Sequence, residues 1–272
     1  MFKEFALFGA AAVAAVTGYA TDAFGFGEPE AVEGRIYHYV RSNQDGSGAE
    51  NVYVYRAAHN RLEIYKSSER CVDAGFVTAW VDSETGNATV IQGGRLMPEA
   101  RHENFATISY DGAATMLRAE AAIPGQMIRQ QVRVTEPIFH LYDTDLATLS
   151  VQTMGLDDPR QGFSFALPTI WTEPEDGQYV RHLGEANAEF VRAEEYQGTP
   201  ALRFDVTGSA FGDNGGPLWL DAQSGHVLGA QWGIPNRPGM DDFSIRLVET
   251  EDSGEAGWQA LLTDHFAGCP TI

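Results

Sequence analysis

The chain has 272 residues, 43% of them hydrophobic, and its 38 acidic against 18 basic residues leave a formal net charge of -20. A surface this acidic repels phosphate backbones and anionic lipid headgroups, so nucleic acid is not an expected partner. With only two cysteines, Cys71 and Cys269, the chain is neither a disulfide-dense scaffold nor a holder of a Cys-based tetrahedral zinc site.

The first residues have the architecture of a signal peptide. Met1, Phe2, Lys3 and Glu4 precede an apolar run from Phe5 to Val16, and Thr17, Gly18, Tyr19 and Ala20 follow. An apolar core of about a dozen residues falls short of the roughly 20 needed to span a bilayer, and Gly18 and Ala20 are the small residues a signal peptidase requires. The expectation is cleavage after Ala20 and a single β-rich domain over residues 21–272, in the periplasm or outside the cell. An uncleaved anchor or a buried N-terminal helix is the alternative. No later segment is long and apolar enough to cross a membrane, so no span is expected after processing. In an oxidising compartment the two thiols are predicted to pair as one long-range disulfide.

Period-two patterning dominates the chain and predicts strands. Gly34 to Ser42 and Asn51 to Arg56 alternate around Asn43, Gln44, Asp45, Gly46, Ser47 and Gly48, a turn-rich stretch that favours a hairpin. The same stretch lacks the closing glutamate of a calcium loop. Further strands are expected at Arg61–Lys66, Gly75–Asp82, Ala88–Gln92, Thr115–Ala121 and Met127–Thr135. Pro137 to Met154 alternates weakly and reads as a short helix or crossover, and Gly155 to Gly162 reads as a loop. Strands resume at Phe163–Trp171, Ala188–Tyr196, Ala201–Thr207, Pro217–Asp221, His226–Trp232 and Phe243–Glu249, with a strong turn from Asp221 to Gly225. Trp258, Leu261, Leu262, His265 and Phe266 share one helical face before the terminator Gly268. The predicted class is mainly β: an antiparallel meander, either a curved half-barrel or a barrel-like sheet, with a C-terminal helix. A sub-boundary near 155–162 and one continuous sheet are both open.

Gly212, Asp213, Asn214, Gly215, Gly216 and Pro217 resemble the nucleophile loop of chymotrypsin-like serine proteases. Ala57, Ala58 and His59 look like the histidine motif of that family, Asp145 and Leu146 like its aspartate, and Gly229 to Gly233 like the strand beside its specificity pocket. Three departures mark the likeness as accidental. Asn214 carries no nucleophilic hydroxyl, Asn60 stands where a cysteine belongs, and Asp145 is too near Asn214 for the strands of a second barrel. The seven histidines form no His-x-His or His-Glu-x-x-His pattern, so no metal and no cofactor is predicted. Asp157 with Asp158, and Asp241 with Asp242, read as solvated loop carboxylates, and no catalytic residue is singled out.

Several strands are apolar or aromatic on both faces. Tyr37, Tyr39, Tyr53 and Tyr55 stand opposite Ile36, Val40, Val52 and Val54, and Phe76 and Trp80 oppose Val77, Ala79 and Val81. A two-layer protein needs one such face, so the second is free to line a groove for an apolar or amphipathic ligand, with Tyr37, Tyr39, Tyr53, Tyr55 and Trp80 as the groove residues. A closed barrel or sandwich with tyrosine hydroxyls at its rim is the alternative. Over the last third of the chain, Leu218 to Asp221, Ser224 to Val227 and Asp242 to Leu247 resemble uncharacterised exported bacterial proteins. Those are similar in outline to the curved half-barrels of periplasmic lipoprotein carriers, and the resemblance implies an acyl chain bound on a concave sheet. The expected partner is therefore a lipid or another apolar small molecule. A secreted hydrolase, an inactive protease relative and an envelope assembly factor that pairs through an edge strand remain as rival readings.

Overall fold

A computed structural model of the protein describes residues 32–83 and 85–270; the segment expected as a signal peptide lies outside the described residues. In chain order the strands are β1 (Ile36–Ser42), β2 (Glu50–Ala58), β3 (Arg61–Ser67), β4 (Gly75–Val81), β5 (Ala88–Met97), β6 (Arg101–Asp111), β7 (Met116–Ile123) and β8 (Gln126–Arg133). After the short helix α1 (Leu149–Met154) come β9 (Phe163–Ile170), β10 (Val180–Tyr196), β11 (Thr199–Thr207), β12 (Gly216–Asp221), β13 (Val227–Trp232), β14 (Phe243–Glu251) and the helix α2 (Gly254–Asp264). All fourteen strands form one antiparallel sheet in the order β8-β7-β6-β5-β4-β3-β2-β1-β14-β13-β12-β11-β10-β9. It is two meanders joined where β1 pairs with β14. The fold is thus the mainly β class expected, as an open sheet not closed into a barrel. Both sheet and core continue across residues 155–162.

Local chemistry explains the tight connections. Between β12 and β13, Asp221 Oδ1 accepts from the Ser224 amide (2.7 Å), the Gln223 amide (3.0 Å) and the Ser224 hydroxyl (2.9 Å), while Gly225 takes φ +71°. A short acceptor side chain and a residue free to enter the left-handed region are what such a turn needs. Between β1 and β2 the turn is likewise closed by the protein itself, with Asn43 Nδ2 donating to Ser47 Oγ at 2.9 Å and the Ser47 amide to Asp45 Oδ1 at 2.8 Å.

The inner face of the sheet wraps the segment between β8 and β9. Phe139, Leu141, Tyr142, Leu146 and Leu149 are fully buried, and they pack with Val52, Ile64, Ala79, Ile91, Leu117, Phe204, Leu218, Trp232 and Phe243 from across the sheet. The stretch expected as a short helix or crossover is therefore a plug. Burial of its apolar side chains in one continuous cluster is the main driving force for curling so long a sheet. At the free edges, residues 138–140 run parallel to β9, with the Ala166 amide donating to Ile138 O (2.8 Å) and the His140 amide to Ala166 O (3.0 Å). Gln130 of β8 reaches the connection before β10, accepting from the Tyr179 amide at 2.8 Å and donating to Gly177 O at 2.6 Å.

On the outer face, α2 lies over β2 to β4. Trp258 is fully buried against Ile36, Tyr55, Tyr65 and Phe76, and its Nε1 donates to Glu63 Oε2 at 2.6 Å. Cys71 and Cys269 form the expected disulfide, tying the end of the chain to the β3–β4 connection. Among the described residues no helix is long and apolar enough to cross a membrane. One strand was not expected: β6 carries charged and polar residues on both faces of its first half, where His102 is half-buried against Phe76 and its neighbours Arg101, Glu103 and Asn104 are exposed. Here Gly94 stands at a bulge where a Cβ would meet Glu103 O at 2.0 Å.

Candidate functional site

The register divides the five aromatic residues that the alternation suggested as one groove. Directly paired residues of antiparallel strands share a face. Tyr37 pairs with Val54 and Tyr39 with Val52, whereas Tyr53 pairs with His38 and Tyr55 with Ile36. Tyr37 and Tyr39 consequently enter the plugged interior, while Tyr53, Tyr55 and Trp80 lie on the outer face. Alternation within a strand gives its two faces but not which of them matches which face of its neighbour.

Each of these rings already has partners within the protein. Tyr37 stacks on His226 with centroids 3.7 Å apart, and Tyr39 hydrogen-bonds His226 Nε2 and donates to Val227 O at 2.8 Å. Tyr55 stacks on Trp258 at 5.2 Å. Tyr53 sits between His38 (4.2 Å) and Tyr65 (5.5 Å). Trp80 is half-buried between Arg61 of β3 and Val90 of β5.

Two buried polar clusters hold the plug. In the first, Asp145 Oδ1 accepts from Asn236 Nδ2 (2.7 Å) and Arg41 Nη1 (3.3 Å), its Oδ2 forms an ion pair with Lys66 Nζ (2.5 Å), and Arg41 also meets Glu50. Burial alone would raise the Asp145 carboxyl, but Arg41, Lys66 and Asn236 outweigh it and hold it below its ordinary value. Its neighbour Asp143, whose Oδ1 accepts from the Ile170 amide at 3.1 Å, is pushed up to about 6 by burial. In the second cluster, Gln152 Nε2 donates to Ser164 O, which turns Oε1 toward His140 Nε2 at 2.8 Å, and Thr148 Oγ1 meets His140 Nδ1 at 2.9 Å. Burial lowers His140 to about 4 and His226 to about 3. Because Tyr39 donates to Val227 O, His226 donates from Nε2, and its Nδ1 has no hydrogen-bond partner among the described residues. Both rings are neutral packing elements that pin α1 and the β12–β13 turn.

The protease-like residues do not assemble. His59 is exposed beside Glu33 in the β2–β3 turn, the Asp145 carboxylate is taken by Lys66 and Arg41, and Asn214 lies in the β11–β12 connection. Those two turns fall at opposite ends of the antiparallel strands. A single sheet also replaces the two barrels of that family. Among the described residues no group of three or more His, Cys, Asp or Glu side chains is placed to hold a metal ion.

Several clefts open on the surface of the sheet. One of about 480 Å3 has Leu96, Met97 and Pro98 on one side and Phe266, Pro270 and the Cys71–Cys269 disulfide on the other, with Asp73 and Arg95 as its charged groups. His265 fixes the helix end beside it: Tyr65 OH lies 2.6 Å from its Nδ1, its Nε2 lies 2.8 Å from Val72 O, and its carbonyl accepts from the Cys71 amide at 3.2 Å. Arg95 Nε donates to Glu103 Oε2 at 2.6 Å, and that bond, with Asp73 adding, raises the guanidinium above its ordinary value. A second cleft of about 470 Å3 shares Arg95 and runs along Phe105, Ala122 and Ile123. Of the five groove residues, Tyr53 alone lines a described cleft, a smaller one of about 170 Å3 with Tyr65, Leu261 and Arg70. The large cleft escaped sequence reasoning because its walls come from three distant segments. The only signal joining them was the cysteine pair.

No protein-family model matches the chain, and no curated protein matches it. Its function has to be read from its own residues.

Proposed function

We propose that the protein binds a small apolar or amphipathic molecule, and that it does so in the cleft between the β5–β6 turn and the segment after α2. The observation that carries this reading is the lining: aliphatic and aromatic side chains and a disulfide enclose about 480 Å3, with one carboxylate and one guanidinium beside them. Small-molecule sites have this character, about 300–1,000 Å3, mostly apolar, with a few placed polar groups. The inner face does not compete as a site, because the plug fills it.

Each methylene moved out of water contributes about 0.8 kcal/mol, so about ten of them bound the affinity near the micromolar level before association costs. The disulfide supports an exported location, since such bonds persist in oxidising compartments. In the periplasm or outside the cell, acyl-chain amphiphiles are among the molecules a protein of this kind meets. Titration with a fluorescent alkyl probe tests the reading. Saturable one-to-one binding is expected, abolished by Met97→Trp, which fills the cleft, and retained by Tyr53→Asp, which lies outside it. A flat titration, or binding unaffected by Met97→Trp in a folded variant, contradicts the proposal.

A further inference from the structure

We infer that the ligand of this cleft is a single-chain amphiphile with a cationic headgroup. The inference rests on the proposed binding site and adds the charge of what occupies it. The cleft has one carboxylate and one guanidinium in its lining, Asp73 and Arg95, but they are not equally available. Arg95 is already committed, with Nε 2.6 Å from Glu103 Oε2. Asp73 is exposed and accepts no hydrogen bond among the described residues. The adjoining turn adds Glu99 and Arg101, one charge of each sign, and Arg70 nearby is engaged by Asp264 at 3.5 Å and by the Asp264 and Ala267 carbonyls. Two carboxylates, Asp73 and Glu103, thus share the one guanidinium of Arg95, and the local balance is negative.

The whole molecule reinforces that balance, since the chain carries -20. An anionic headgroup brought to the apolar wall meets an excess of carboxylate and a repelling field. A quaternary or primary ammonium meets the opposite. The apolar walls hold the alkyl chain in either case, so chain length sets the affinity and headgroup charge sets the preference. That preference falls with salt, because the carboxylates are exposed and screened within about 10 Å at moderate ionic strength.

Competition against the fluorescent probe with dodecyltrimethylammonium, dodecyl maltoside and dodecanoate, each below its micelle concentration, separates the terms. The expected result at low salt is the ammonium binding about tenfold tighter than the carboxylate with the maltoside between them, and a gap that narrows as salt is raised. Asp73→Asn should shrink the gap about threefold. One-to-one stoichiometry and loss of all binding in Met97→Trp distinguish the cleft from adsorption on an acidic surface. Dodecanoate binding as tightly as the ammonium, while the maltoside still saturates, overturns the cationic preference and leaves the site standing. If none of the three displaces the probe saturably, or Met97→Trp binds all three, the site itself falls and the inference with it.

Discussion

Acid should unfold this protein through the two histidines that pin its plug. His140 and His226 stay neutral in the folded protein down to about 4 and about 3, whereas once unfolded both protonate near 6.5. Their depressed values mean that the stability they confer is present above pH 6.5 and is lost as pH falls, because only the unfolded chain takes up the protons. At about 1.4 kcal/mol per pH unit and group, the pair withdraws about 7 kcal/mol between pH 6.5 and pH 4. Asp143 acts in the opposite direction. Its carboxyl is raised from 3.8 to about 6, so the folded state takes up a proton first and regains about 3 kcal/mol over that interval. The net loss is about 4 kcal/mol, a large share of the 5–15 kcal/mol typical of a domain. Near about pH 5.5 these three groups should make unfolding take up about one proton. Urea unfolding across the pH range reads this slope directly. His140→Gln should bring the uptake from these groups close to zero, and Asp143→Asn, which keeps an acceptor for the Ile170 amide, should raise it toward two. An unchanged slope in His140→Gln, or ring signals of both histidines titrating near 6.5 in the folded protein, would show that burial does not hold these rings neutral.

Asp145→Asn removes the buried carboxylate that Lys66 pairs with and leaves Arg41 with Glu50 alone, and should cost about 3–5 kcal/mol by urea unfolding at neutral pH; a loss below about 1 kcal/mol would mean that the cluster is solvated. The disulfide closes a loop of sequence separation 198, and replacing both Cys71 and Cys269 with alanine should lower stability by about 5 kcal/mol on the chain-entropy scale, with an unchanged midpoint as the contrary result. Asn214→Ser should react with no active-site serine reagent, because His59 lies at the other end of the sheet; rapid labelling that depends on His59 would contradict this placement.

Local chemistry made much of the fold legible. Asp221 to Gly225 announced a turn because its acceptor side chain and its glycine act within five residues, and the apolar face of Trp258 and Leu262 announced α2 in the same way. What stayed hidden depended on tertiary neighbours. β6 has no consistent apolar face in its first half, where the one half-buried side chain is a histidine and the rest are exposed, so nothing in residues 101–105 alternates as a buried strand does. The tyrosines of β1 and β2 looked like one set, but the β1–β2 pairing sends Tyr37 and Tyr39 inward and Tyr53 and Tyr55 outward. The two-faced apolarity itself was real: one face serves the plug and the other α2. The cleft was least legible of all, since Leu96, Met97 and Phe266 signal nothing until the chain end is folded back onto the β3–β4 connection.

If the cleft beside the disulfide, and not the aromatic strand faces, receives an amphiphile, the contact is made at Met97. Methyl-labelled methionine spectra during titration with dodecyltrimethylammonium test it most directly, because Met97 lines the cleft while Met127, Met154 and Met240 do not. The Met97 methyl should shift saturably and show contacts to the alkyl chain, with Met154 and Met240 unmoved. A Met97 methyl that stays fixed at ligand concentrations that saturate the probe signal would contradict it.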